Sequence, residues 1–167
     1  MEMQTSPAWQ RRSALGLGTF AALTAGAASI GARATRPATK QLWYRRLEKP
    51  PFQPPAAAFP IAWTALYALI AVSGWRVWRK PSGPSRSLAL ELWGLQLGLN
   101  AAWSWLFFGK RRKRTALADL ALLWASIAGY TAVAHRVDKP AARMMAPYLG
   151  WVAFAGALNS ELVRRNR

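Results

Sequence analysis

The chain has 167 residues, with 23 Lys and Arg against 6 Asp and Glu and a formal net charge of +17. It has no cysteine, which excludes disulfides, thiolate nucleophiles and cysteine metal sites, and its single histidine, His135, argues against zinc-hydrolase and histidine-dependent triad chemistry. Such a basic balance points to a polyanion partner, yet 53% of the residues are hydrophobic and ten are tryptophan, and the bases fall between long apolar blocks.

A short N-terminal tail, residues 1–13, precedes the first apolar block. That block runs from about Ala14 to Ala32 and is rich in Ala, Gly and Thr. Arg11-Arg12 ahead of it and Ala-Gly-Ala at 25–27 also fit a cleaved export signal. The connector 33–55 follows, with proline pairs at 50–51 and 54–55 that stiffen the backbone. With Trp43, Tyr44 and Phe52 it reads either as a lid over a pocket mouth or as a connector that sets helix entry angles. The second block covers 56–75, and Pro60 falls in its first turn, where a missing N–H costs little. The third runs from Ser87 to Gly109 and ends in "WSWLFF", directly followed by "KRRKR" at 110–114. Aromatics beside bases suit stacking on nucleic acid. At the end of an apolar block they suit the lipid–water boundary and a cytoplasmic stop, so no nucleic-acid partner is expected. The fourth block covers 115–135, the fifth 141–160, and a basic tail, 163–167, closes the chain.

Each block approaches the roughly 20 residues that cross a bilayer. None alternates with the period of a barrel strand. Gly83-Pro84, Gly109 and Pro140 punctuate the blocks. The expected fold is therefore all-α: an integral membrane bundle of five transmembrane helices, with membrane lipid as its surroundings. Five crossings put residues 31–57, 109–114 and the C-terminus on one side. Most Lys and Arg lie there: Arg33, Arg36, Lys40, Arg45, Arg46 and Lys49, then Lys110 to Arg114, then Arg164, Arg165 and Arg167. The positive-inside rule makes that side cytoplasmic and leaves the N-terminus outside.

In the third block Trp93, Gln96, Asn100, Trp103 and Phe107 recur at spacings of three and four and share one face. Gly94 and Gly98 form G-x-x-x-G on another, which suits close helix packing or a dimer contact. Gln96 and Asn100 either wall a ligand or hydrogen-bond neighbouring helices. Most tryptophans near block ends fit an aromatic belt. Trp63 and Trp151 lie inside their blocks, where a belt does not account for them, and with Asn100 they form either a pocket for a flat apolar ligand or core filling. Glu91, Asp119 and Arg143 lie near block ends, which disfavours an ion path. No carboxylate pair shares a helix face, so no acid/base hydrolase is visible, and no metal site is expected.

Five stretches carry a family resemblance: "WYRRLEKPPFQPP" (43–55), "WTALYALIAVSGWRVWR" (63–79), "LQLGLNAAWSWLFFG" (95–109), "ALADLALLW" (116–124) and "PYLGWVAFAGALN" (147–159). In this order they resemble the TspO/MBR family, the tryptophan-rich sensory proteins related to the translocator protein (peripheral benzodiazepine receptor). The resemblance implies a five-span bundle, often dimeric, that binds porphyrins, sterols and synthetic aromatic ligands beneath its first loop. It implies pocket roles for Tyr44, Trp63, Asn100, Trp151 and Ala155. It also implies that Trp63 and Trp151 are the pair involved if the chain assists light-dependent breakdown of porphyrin. The chain departs from the family at Ala57, where a tryptophan is usual, and at Pro60-Ile61, where Gly-Pro is usual. Ser160 and Glu161 replace the tyrosine of the animal sterol pattern, so cholesterol binding there is not expected.

The resulting expectation is a bacterial membrane protein that binds porphyrin-like tetrapyrroles as sensor, scavenger or regulator and needs no resident cofactor. A light-dependent porphyrin-degrading enzyme and a small-molecule transporter are the alternatives. The transporter lacks the inverted repeat or broken mid-membrane helix common in that class.

Overall fold

A computed structural model describes residues 6–166 of the chain, and every regular element among them is helical. Helix α1 spans Pro7–Lys40, α2 Leu42–Arg46, α3 Ala58–Trp78 and α4 Pro84–Ser104, the last continued by a π-helical turn over Trp105–Gly109. Helix α5 spans Lys113–Val137, α6 Lys139–Met144 and α7 Ala146–Arg165. The five long rods are α1, α3, α4, α5 and α7, and α1, α3 and α5 have the length and apolar composition to cross a membrane. Helices α4 and α7 are more polar, partly because they carry groups held inside the bundle: Gln96, Asn100 and Ser104 on α4, and Asn159 on α7, all buried.

Helix α1 is longer than the apolar block within it. It starts at Pro7, with the Ser6 hydroxyl accepting from the Trp9 N–H at 3.3 Å, and continues to Lys40 through Pro37. Residues 7–13 of the expected tail and 33–40 of the expected loop are therefore helical; residues 1–5 of that tail lie outside the described residues. Packing carries the extension, because Ala34 and Ala38 lie in a cluster with Phe107 and Phe108. At 1.5 Å per residue the 34-residue helix is about 50 Å long, against a hydrocarbon core of about 30 Å. The fifth block is also not one rod. It breaks at Met145 because Pro147 has no N–H with which to continue the ladder.

The long helices form a ring in which α1 packs on α3 and α4, α4 on α5, and α5 on α7. The backbones of α3 and α7 stay apart, and the short α6 bridges between them at one end, packing on both. The core joins Phe20 of α1, Ile70 and Val77 of α3, Trp93 of α4, Leu123 and Ile127 of α5, and Tyr148 and Val152 of α7. The π turn at the end of α4 lets the consecutive Phe107 and Phe108 both bury.

Contacts at the two ends agree with an odd number of crossings. At one end Arg111 donates to Gln41 at 2.8 Å, Lys113 donates to the Asn166 carbonyl, and the Asn166 side chain pairs both ways with the Glu48 backbone at 3.0 Å. The first connector, the α4–α5 turn and the C-terminus thus share one end. Arg111 adopts the left-handed region there, φ 57°. At the other end Arg79 lies between the rings of Trp9 and Trp75, 4.4 and 4.5 Å from their centroids, and the Trp75 indole donates to the Ser13 carbonyl at 2.8 Å.

Asp138 ties this second end together. It caps α6 by accepting from the Ala141 N–H at 2.8 Å and pairs with Arg76 and Lys80 at 3.1 and 3.0 Å. Burial raises its carboxyl pKa, but the Ala141 N–H, Arg76 and Lys80 together outweigh burial and hold it below the ordinary carboxylate range. A lowered folded-state pKa means that the stabilisation is present above the unfolded value of about 4 and is lost as pH falls through the folded value. Asp138→Ala is expected to cost about 1–3 kcal/mol at neutral pH, most of it from the cap, because Arg76 and Lys80 are partly solvated. Asp138→Asn keeps a capping oxygen and loses less. Unfolding in detergent measured from pH 8 to pH 3 checks this: the gap between wild type and Asp138→Asn closes below about pH 4.

Gly94 and Gly98 face outward with open space around them. Among the described residues they bring no other helix close, and the stripe is left to lipid or a second copy.

Candidate functional site

The seam between α3 and α7 is closed by rings rather than by backbone. Trp63 of α3 and Trp151 of α7 meet edge to face, with centroids 6.3 Å apart and planes at 85°. Helical periodicity extends each tryptophan along its own helix. Tyr67, one turn after Trp63, stacks on it at 5.2 Å and 28°. Tyr148, one turn before Trp151, meets Trp63 edge-on at 6.1 Å. Phe59 reaches Trp151 at 5.9 Å, and Phe154 tilts against Trp151 at 5.9 Å.

Asn100 of α4 forms the polar floor of this seam. Its side-chain carbonyl accepts from the Tyr67 hydroxyl at 2.8 Å, and its amide donates to the Tyr148 hydroxyl at 3.0 Å. One buried amide therefore fixes the tyrosines of both facing helices. The α4 face read from spacing is the buried one: Trp93, Gln96, Asn100 and Phe107 are all buried and Trp103 is half-buried. Trp93 donates to the Ile70 carbonyl at 2.9 Å, and Trp103 stacks on Phe107 at 5.5 Å and 19°.

Deeper in the bundle, toward the end that holds Lys113, Asp119 and Asn159 lie in one layer. The Lys113–Asn166 contact aligns the start of α5 with the end of α7, and each residue lies about 9 Å from that end by helical rise. Among the described residues, the side-chain amide of Asn159, one oxygen of Asp119, the Trp103 indole N–H and the Gln96 carbonyl are buried without a protein partner. The interior thus keeps hydrogen-bonding capacity that its own side chains do not consume.

The connector after α2 climbs α7. Glu48 meets Asn166, and Phe52 meets Phe154 at 6.3 Å and 64°, about three turns higher along the helix. Phe52 therefore touches the ring that leans on Trp151.

The structure brings together Trp63, Trp151 and Asn100, and it places Ala155 half-buried against the same core, one turn beyond Trp151. Tyr44 is placed elsewhere. It packs on Phe108 at 5.6 Å in the second cluster, with the Lys49 ammonium 4.9 Å from its ring centroid. Burial raises its hydroxyl pKa, and a hydrogen bond with Gln53 partly offsets that. Tyr44 thus reaches the Phe52 segment through Gln53 and does not join Trp63 and Trp151. Tyr67, Tyr148, Phe59 and Phe154 were not singled out from the sequence. Stepping three or four residues from each mid-helix tryptophan would have found them.

The arrangement offers flat π surfaces from two helices that are not held backbone to backbone, with hydrogen-bonding groups beneath. That suits a planar, largely apolar guest.

Residues 19–165 match the TspO/MBR family. The chain is 41% identical over 128 residues to a translocator protein of Bos taurus, covering 75% of each chain. It is 37% identical over 124 residues to a tryptophan-rich sensory protein of Cereibacter sphaeroides, covering 74% of this chain and 77% of that one. It is 37% identical over 129 residues to the protein CrtK of Rhodobacter capsulatus, covering 74% and 78%.

Proposed function

We propose, on the premise that this chain belongs to the TspO/MBR family, that it is a membrane receptor for planar tetrapyrroles of the porphyrin type, acting as sensor, scavenger or regulator. The observation that carries the reading is the perpendicular contact of Trp63 and Trp151 across the α3–α7 seam. A porphyrin enters by parting this contact and replaces ring–ring edges with its own faces. Helices α3 and α7 can separate there at small backbone cost, because their backbones scarcely touch. Asn100, Tyr67 and Tyr148 keep the two walls in register, and the Phe52 segment covers the guest. The α1-start end faces outward and the basic end that holds Lys110 to Arg114 faces the cytoplasm of a bacterial cell, as the charge bias requires. The outward Gly94–Gly98 stripe is where a second copy would pack.

Titration of protoporphyrin against tryptophan fluorescence tests the reading. Trp63→Phe/Trp151→Phe keeps rings but removes indole surface, and it is expected to weaken binding about tenfold, as for one or two aromatic contacts of about 0.5–1.5 kcal/mol each. Unchanged affinity and unchanged quenching in the double variant would overturn the site.

A further inference from the structure

A second recognition surface lies at the opposite end of the bundle from the lid, on the outside of the α1–α3 pair. A groove of about 500 Å³ is lined there by Ala8, Arg11, Arg12, Leu15, Thr19 and Trp78, with Gly16 at its floor. Gly16 lets the Trp78 ring lie close against α1: a Cβ on it would fall 2.4 Å from that ring. Phe20 backs the same indole at 6.3 Å. The groove wall is thus the half-buried ring of Trp78, while Leu15, at 73% exposure, opens it to the surroundings.

Charge and depth define the occupant. Arg11 and Arg12 stand at the mouth, one turn inside the start of α1. Among the described residues neither has an acidic partner; Arg12 leans over the Trp78 ring at 5.9 Å. Neighbouring cations are engaged: Arg76 and Lys80 by Asp138, Arg79 by two indoles, and Arg86 by the Trp78 carbonyl, to which it donates twice at 3.0 and 2.8 Å. From the arginines the groove runs inward past Leu15 and Gly16 to Thr19, about 10–12 Å along the helix. Trp9, Trp75 and Trp78 cluster near its mouth, where an aromatic belt marks the headgroup level. The mouth is therefore cationic at headgroup depth, and the channel below it is apolar at acyl depth.

We propose that this groove holds one anionic glycerophospholipid. Its phosphate lies between Arg11 and Arg12, and an acyl chain lies along Leu15, Gly16 and Thr19 against Trp78. The site is independent of the tetrapyrrole seam. It anchors the long α1 to the membrane face from which its basic start emerges. A zwitterionic lipid carries the same chain but cancels the charge the arginines seek, so headgroup charge is the selective element.

The test uses the full-length protein in mixed micelles, with phosphatidylglycerol or phosphatidylcholine brominated in the acyl chain as quencher. The signal is the quenching that disappears in Trp78→Phe. Phosphatidylglycerol is expected to occupy the groove about thirtyfold more tightly than phosphatidylcholine, as for two cations near the surface. Arg11→Gln/Arg12→Gln is expected to erase that preference, and Thr19→Phe, which fills the channel, to reduce quenching by both lipids. Arg11, Arg12 and Thr19 are exposed, and an unchanged midpoint of thermal unfolding in the same micelles reports an intact bundle in each variant. Equal quenching by the two lipids, an undiminished preference without the arginines, or an undisturbed signal in Thr19→Phe overturns the proposal. Displacement of the brominated lipid by equimolar inorganic phosphate also overturns it, since the arginines would then recognise a free anion without the chain.

Discussion

Replacing Asn100 by Leu is expected to lower the stability of the bundle by about 2–4 kcal/mol, although the two side chains are similar in size. The loss is not the two hydrogen bonds themselves, which are worth about 0.6 kcal/mol each on average within a membrane protein. It is the pair of tyrosine hydroxyls left without a partner, each costing about 1–3 kcal/mol where burial is complete. Tyr148 is fully buried and Tyr67 only partly so, which places most of the penalty on Tyr148. The same logic gives a compensating variant. In Tyr67→Phe/Tyr148→Phe/Asn100→Leu no polar group remains to be orphaned, and most of the lost stability returns. Unfolding in mixed detergent measures both. A triple variant no more stable than Asn100→Leu would show that Asn100 acts by packing alone. Porphyrin titration of the single variant should also show weaker binding, because the amide holds the walls of the seam in register.

Gly74→Ala is expected to be comparably damaging, and Gly94→Ala nearly silent, although both place a methyl group on a glycine within a long helix. A Cβ at Gly74 would lie 2.4 Å from the indole nitrogen of Trp93 and 2.8 Å from Phe20. The Trp93 indole is buried and donates to the Ile70 carbonyl, and Phe20 meets it edge-on at 4.7 Å, so neither ring has room to retreat. Overpacking of this kind costs about 1–3 kcal/mol or more, because α1, α3 and α4 must all shift. At Gly94 the added methyl meets open space, and a slightly higher helix propensity is the main term for the isolated chain. Gly16→Ala should fall between the two. Its clash is as short on paper, but the Trp78 ring is only half-buried and can swing outward. Midpoints of thermal unfolding in one detergent rank the three. A Gly74→Ala midpoint within a degree or two of wild type would refute the close approach of these helices.

Much of this architecture was legible in the residues, and the gaps have specific causes. Block length and hydropathy give five rods and the end at which the connectors gather, because both depend on composition along the chain and on the parity of crossings. The buried face of α4 followed from spacings of three and four, which a helix converts directly into direction. The ends of α1 did not follow. Its last turns read as a basic connector containing Pro37, yet they stay helical because Ala34 and Ala38 find Phe107 and Phe108 across the bundle. The break at Met145 was hidden by uniformly apolar neighbours and imposed by Pro147. Tyr44 belonged to the right loop, but which of two aromatic clusters it joins depends on how that loop climbs α7.

What the sequence determined by itself is the helical membrane class, the polar-floored face of α4 and the presence of indoles inside two rods. These are one-dimensional properties: length, period and depth. What only the tertiary structure decided is that the indoles of α3 and α7 meet, that Asn100 is shared between tyrosines of both helices, and that Gly74 rather than Gly94 marks a close helix contact. Each depends on the rotation and order of helices around the ring. That order is set by which rings and glycines fit together across the bundle, not by any local preference of the chain.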